Sequence, residues 1–371
     1  MYGSVENPAM MTDDDATERA IESDDLPMRV GFRTRSLADE RLRFIKQLGV
    51  EDVFVDRVGT DEGPEEFLDL DAADAPTVMI DDHHIPSVEE LAQAKSRAAN
   101  VGVRFAGIQS LPFAAYGKIM LGEEGADRQV EKIKQLVRNM GAAGIPILGY
   151  QWNPRGEVIM RTSGSESIRG GAKTTAFDLD ALDDPETATD PDAPEYDEDA
   201  FWDRYEGFLQ EVLPVAEEAG VRMALHPADP PTIPRLEGVP RLFRSIETFE
   251  RGMDLVPSDN HGLKLCLGCF SEMGEDVTEV IRRFGERDEI VFVHFRDVVG
   301  TMPAFREGFV DEGNFDVLAA MEALDEVGFD GVMVPDHVPR MEGDSGWQHR
   351  SRAFTAGYLR GVLDTVRRDE R

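Results

Sequence analysis

Two hydrophobic periods alternate along most of this chain. From Met28 onward, short apolar runs of strand length are each followed by a segment with apolar residues at helical spacing. MRVGF, ending near Arg33, predicts a first strand, and DERLRFIKQLG predicts a helix closed by Gly49. EDVFVD predicts the second strand, SVEELAQAKSRAANVG a helix and VRFAGIQS the third strand. RQVEKIKQLVRNMGAAG and IPILGYQW supply the next helix and the fourth strand. From FWDRYEGFLQEVLPVAEEAG the rhythm resumes. VRMALHPAD, GLKLCLGCF, EIVFVHFRD and GVMVPDH predict strands five to eight, with helices between them and SRAFTAGYLRGVLDTVRR closing the chain.

Strands that alternate with helices form parallel βα units. Eight such units predict an α/β chain folded as a TIM (β/α)8 barrel, with its active site at the C-terminal ends of the strands. An open doubly wound sheet shares the rhythm, but no GxGxxG or Walker-type loop supports it. Residues 1–26 are polar, acidic and aperiodic, and are expected to be disordered. Residues 27–371 are expected to form a single barrel domain with an insertion, 151–198, after the fourth strand. The first half of that insertion reads as part of the active site, and its acidic, Pro/Asp-rich second half as solvated loop. Phe201, Trp202 and Tyr205 are expected on a helix face against the barrel.

The net charge of -35 disfavours nucleic acid and anionic membranes as partners. Only seven of the 39 basic residues are Lys, and this acid-rich, Lys-poor composition points to a high-salt cytoplasm. No stretch is long and apolar enough for a transmembrane helix, and the N-terminus lacks a signal-like apolar run. The expected compartment is therefore the cytoplasm. Two cysteines, Cys266 and Cys269, exclude a disulfide framework and fit a reducing compartment. Their C-x-x-C spacing invites a redox or zinc reading, but no second pair completes a structural zinc site.

Candidate chemistry gathers at the strand ends. Leu263, Leu265 and Leu267 share the parity that faces the helices, so Cys266 points inward and Cys269 has the opposite parity. In EIVFVHFRD, Val291, Val293 and Phe295 share one parity, and His294 and Arg296 the other. His226 opposes the Met223/Leu225 face, and Asp336 ends the eighth strand. A single buried His or Cys is more often a packing residue. Four consecutive strands that deliver His226, Cys266, His294 and Asp336 to one mouth point instead to a metal site. Arg33 and Arg296 fit a substrate carboxylate, or equally a strand-end ion pair. His337 fits a general acid or base, or a hydrogen-bonded structural role. His83, His84 and His261 lie in polar, loop-like sequence and are expected to be solvated; Met273, Met302 and Met321 are expected to pack.

These motifs carry a resemblance. Phe32–Arg33, MRTSGSESIRGGAKTTAFD, VAEEAGVRMALHPADPP, LKLCLGC, FVHFRDV and PDH occur in the order found in mannonate dehydratases, TIM barrels of the xylose-isomerase-like group. The chain resembles that family over about residues 28–366. The resemblance implies loss of water from D-mannonate to give 2-keto-3-deoxy-D-gluconate, in glucuronate and hexuronate catabolism. It implies Mn²⁺ or Fe²⁺ held by His226, Cys266, His294 and Asp336, where ligand softness alone suggests zinc. It makes His337 a catalytic residue, with Arg33, Arg161 and Arg296 orienting the sugar acid. The chain departs from the family pattern at Ala228, at Val310 in place of a His, and at Trp347 in place of a catalytic Tyr. His349 is the nearest titratable substitute for that Tyr. The alternatives are a related sugar-acid dehydratase, a sugar isomerase or epimerase, and a non-catalytic sugar-acid-binding barrel. Homo-oligomerisation stays open.

Overall fold

The computed structural model describes residues 27–56, 78–153, 161–187, 196–231, 233–236 and 238–369. The expectation for residues 1–26 falls outside them, as do 154–160 and 188–195 of the insertion. The chain runs from β1 (Arg29–Thr34) through α1 (Asp39–Gln47) to β2 (Asp52–Val55). α2 (Val88–Ala99) starts at a capping box in which Ser87 and Glu90 satisfy each other's backbone amides. β3 (Arg104–Ile108), α3 (Phe113–Leu121), α4 (Ala126–Ala143) and β4 (Ile147–Gln151) follow. The insertion then carries β5 (Ser163–Ser167) and β6 (Lys173–Asp178). After α5 (Glu198–Ala219) and β7 (Arg222–His226) come the two-residue strands β8 (Arg235–Leu236) and β9 (Val239–Pro240), and α6 (Ile246–Asp254). β10 (His261–Cys266), α7 (Leu267–Met273), α8 (Val277–Gly285) and β11 (Ile290–His294) lead into the hairpin β12 (Val298–Thr301) and β13 (Ala304–Glu307). α9 (Val317–Glu326), β14 (Val332–Val334) and α10 (His349–Asp369) complete the chain.

The barrel closes in the order β1-β14-β11-β10-β7-β4-β3-β2. Every pairing around it is parallel. The core has two layers. Leu263 and Leu265 join the packing between strands and helices, as their parity predicted, and Val293 joins them, whereas Val291, of the same parity as Val293, packs in the inner cluster. Inside the barrel, Phe54 stacks on Phe292 with ring centroids 4.4 Å apart. Burial of each such side chain contributes about 1.5–3 kcal/mol. Phe201, Trp202 and Tyr205 are all buried on α5.

Two local expectations need correction. The sixth strand was expected to run through Cys269, but it stops at Cys266, and Leu267 and Cys269 belong to α7. Strand parity therefore does not apply to Cys269. His261 is not solvated: it opens β10 with 4% exposure, and its Nε2 meets the Tyr150 hydroxyl at 2.8 Å. Burial pushes its pKa down to about 3. The first half of the insertion, read as part of the active site, forms β5 and β6. They join β12 and β13 in an antiparallel sheet of order β12-β13-β6-β5, packed through Phe177 and Phe305. The helix α3 was not anticipated. It buries Ala115, Tyr116, Gly117, Ile119 and Met120, so it lacks the polar face that marks a surface helix.

Candidate active site

Parallel strands all end at the same rim, so residues at or just beyond their C-termini converge. His226 ends β7, Cys266 ends β10, His294 ends β11, and Asp336 follows β14. All four are buried, and their ligand atoms lie within 4.8 Å of one another. His226 Nδ1 is 2.8 Å from the Pro227 carbonyl, which requires a hydrogen on that nitrogen and leaves Nε2 as a lone-pair donor. Burial lowers the His226 pKa and so favours the neutral ring that a metal needs. Burial opposes ionisation of Cys266, but Cys269, Arg296, His226 and His294 outweigh it and hold the thiol well below its ordinary range. Burial is likewise overcome at Asp336, by His294, His337 and Arg33. His294 Nδ1 is buried without a hydrogen-bond partner among the described residues, 3.2 Å from Asp336 Oδ2. A thiolate, a carboxylate and two imidazoles with such an orphaned nitrogen fit a divalent transition metal.

Beside this cluster lies a cage of charges. Arg296 Nη1 is 2.6 Å from Glu272 Oε1 and 3.2 Å from Glu307 Oε1, and its Nη2 is 3.0 Å from Asp229 Oδ2. Arg161 bonds Asp229 at 2.6 Å and also pairs with Glu307. Asp229, Cys269 and Glu272 are close enough to suggest a second metal group. Two guanidiniums already neutralise it, so the arrangement is an ion-pair network. Arg296 is thus committed to protein carboxylates, with a side chain only 1% exposed, against 9% for Arg161 and 21% for Arg33. Arg33 bonds Asp56 and the candidate ligand Asp336.

His337 stands between the cage and the cluster. Its Nδ1 is 2.7 Å from Glu307 Oε1, and its Nε2 is 3.7 Å from Asp336 Oδ2. Burial opposes ionisation of Glu307, but Arg296, Arg161 and His337 keep it a carboxylate. An ionised carboxylate only accepts, so Nδ1 carries the hydrogen and Nε2 is left to exchange protons. Trp347 packs against aromatic rings. Its ring lies 5.7 Å from Phe32 and 5.9 Å from Phe44, with the Arg41 guanidinium 3.7 Å above it. His349 bonds Ser345 Oγ at 2.9 Å and lies 3.3 Å from Asp344 Oδ1. These contacts hold its own loop and do not include the four-residue cluster. His83 and His84 are exposed.

The structure therefore brings His226, Cys266, His294, Asp336 and His337 together, with Arg33 and Arg161 at their flanks. Sequence reasoning assigned no role to Gln109, Asp229, Glu272 or Glu307. Asp229 sits inside the quoted HPADPP motif, and Gln109 near the end of the quoted third strand, VRFAGIQS. Glu272 and Glu307 lay in no quoted segment.

Comparison with known proteins adds independent findings. A model of the D-mannonate dehydratase (UxuA) family matches residues 54–190 and 193–371. Mannonate dehydratase 2 of Halalkalibacterium halodurans is 28% identical over 309 residues, covering 75% of this chain and 87% of that protein. The mannonate dehydratase of Streptococcus agalactiae serotype III is 29% identical over 307 residues, with 76% and 87% covered. The crystal structure of the enzyme from Streptococcus suis serotype 2 superposes with a TM-score of 0.77 at 25% identity, covering 92% of this chain and 96% of that one. A D-psicose 3-epimerase from Clostridium cellulolyticum H10, at 14% identity and TM-score 0.57 over 91% and 99% of the two chains, shares the fold alone.

Proposed function

The chain belongs to the D-mannonate dehydratase family and is a hydro-lyase, and we propose that its barrel mouth removes water across C2–C3 of D-mannonate, giving 2-keto-3-deoxy-D-gluconate in hexuronate catabolism. The observation that carries this reading is the buried His226–Cys266–His294–Asp336 cluster with His337 beside it. Those four residues would hold the metal, Mn²⁺ or Fe²⁺ by family resemblance. When bound, such an ion supplies Lewis-acid stabilisation to the charge that develops as the C2 proton leaves.

The chain's own residues supply the rest. His337 Nε2 exchanges a proton with the substrate, because Glu307 occupies Nδ1. Arg33, the most exposed of the three candidate arginines, is the one that turns toward the sugar-acid carboxylate. Arg161 and Arg296 hold Glu307 and Asp229 in place. Two buried free cysteines suit a reducing compartment. Among the described residues no helix is long and apolar enough to cross a membrane.

The test is product identity. Purified protein in molar KCl with Mn²⁺ is expected to convert D-mannonate to a 2-keto-3-deoxy acid. An isomeric hexonate as the product, or binding of mannonate without turnover, overturns the reading in favour of an epimerase or a binding protein.

A further inference from the structure

The two histidines of the cluster present opposite ring nitrogens to it. His226 spends Nδ1 on the Pro227 carbonyl. His294 is turned the other way: Nδ1 faces Asp336 Oδ2 at 3.2 Å, and Nε2 meets the side-chain amide of Gln109 at 2.5 Å. A neutral imidazole has one N–H. If Nδ1 is to keep its lone pair for a metal, the hydrogen must sit on Nε2, and Gln109 must accept it through Oε1. A half-turn about Cγ–Cδ exchanges the amide oxygen and nitrogen. It gives Oε1 the hydrogen bond it lacks and moves the amide nitrogen to the position Oε1 leaves.

The residue that makes this contact is itself tightly fixed. Gln109 is 2% exposed, and its backbone N–H donates to the Val55 carbonyl at 2.7 Å. Its own carbonyl accepts from the buried Lys264 Nζ at 2.8 Å. A Cβ on Gly149 would lie 2.0 Å from that same carbonyl oxygen, so β4 presses directly against it and only glycine fits there. The neighbouring strands β2 and β4, and Lys264 of β10 across the barrel, thus immobilise Gln109 against the His294 ring.

We propose that Gln109 is a positioning residue for the metal: it accepts the His294 Nε2–H and thereby holds Nδ1 as a donor. This rests on the metal-site reading above. Outer partners of ligating histidines are worth about 10–100-fold in metal affinity. Mn²⁺ titration by calorimetry, checked by the rise in melting temperature on adding Mn²⁺, is expected to show Gln109→Leu weakened by about that factor. Gln109→Glu, a stronger acceptor, is expected to bind as tightly as wild type or more tightly. A structural role alone would weaken both variants alike.

Wild-type affinity in Gln109→Leu overturns the proposal, as does a loss in Gln109→Glu equal to that in Gln109→Leu. If Gln109→Leu does not fold, Gln109→Glu decides by the same criterion: retained or tighter binding supports the proposal and weaker binding sinks it. Folded wild-type protein that takes up no Mn²⁺ removes the metal-site reading and this proposal together. Wild-type binding with an unaffected Gln109→Leu removes only the latter.

Discussion

The chemistry of His337 depends on the contact of its Nδ1 with Glu307. That nitrogen is committed at 2.7 Å, so one nitrogen is left to move a proton. A positioned acid or base is worth about 10²–10⁴ in rate. His337→Asn is therefore expected to lose about that factor in kcat while Mn²⁺ content is retained, read by steady-state kinetics and metal analysis. The two cysteines separate in a comparable way. Cys266 ends a barrel strand within the candidate metal cluster, whereas Cys269 lies on α7, 3.3 Å from Arg296 Nη2. Cys266→Ala is expected to lose Mn²⁺ and activity, whereas Cys269→Ala, which removes from the cluster only a hydrogen bond to the Cys266 sulfur, is expected to keep bound Mn²⁺ with at most a weakened affinity. Equal metal loss in the two variants would revive the paired-thiol reading of C-x-x-C. Cys266 was legible from strand parity. The placement of Cys269 was not, because the strand gives way to helix at Leu267, where parity ceases to apply.

At the scale of elements, the charge cage ties the insertion to the barrel. Arg161 precedes β5, Glu307 ends β13, Glu272 lies on α7, Asp229 follows β7, and Arg296 follows β11. Gly268 admits the guanidinium, since a Cβ there would lie 2.6 Å from Arg296 Nη1. Removing one partner from a buried ion pair costs about 3–5 kcal/mol, because the remaining charges stay buried and unpaired. Arg296→Leu is expected to lower stability by about that amount in denaturant melts. A fully stable Arg296→Leu with only a raised KM would return Arg296 to substrate binding. A surface cluster gives a smaller, pH-dependent effect. Asp82 accepts from Lys118 Nζ at 3.0 Å and Gln129 Nε2 at 3.2 Å, linking α3 and α4 to the segment before α2. Lys118, with Gln129 and Arg128, lowers its pKa from 3.8 to about 2 against the opposing cost of desolvation. A depressed carboxylate stabilises the fold above its unfolded pKa and ceases to do so as pH falls through the folded value. Asp82→Asn should therefore cost up to about 1 kcal/mol at neutral pH. The gap from wild type should close as the pH falls from 3.8 to about 2, read by melts across that range.

For the whole molecule the dominant quantity is the net charge of -35. Like charges spread over one surface repel, and salt screens them with a Debye length of about 10 Å at 0.1 M and about 3 Å at 1 M. Melting temperature is expected to rise from low-salt buffer to molar KCl, and dialysis to low salt to cost activity. A melting temperature indifferent to KCl would count against a high-salt origin for this composition.

The sequence by itself determined the barrel and the cluster at its mouth. Both follow from local periods: a run with period two is a strand, a run with period 3.6 is a helix, and their strict alternation leaves few topologies. Because parallel strands end at a common rim, His226, Cys266, His294 and Asp336 could be placed together without coordinates. Only the tertiary structure decided which of the many charged residues pair with which. Arg161 reaches Glu307 across 146 positions, and Gln109 reaches His294 across 185. No local period encodes such contacts, because they depend on where loops from separate βα units cross. His261 was misread for a related reason. Its polar neighbours Ser258, Asp259 and Asn260 mark a turn, but the ring itself already belongs to the strand and packs into the helix layer against Tyr150 and Tyr205. Burial, not residue type, settles whether a histidine is solvated, and burial is a property of the assembled barrel.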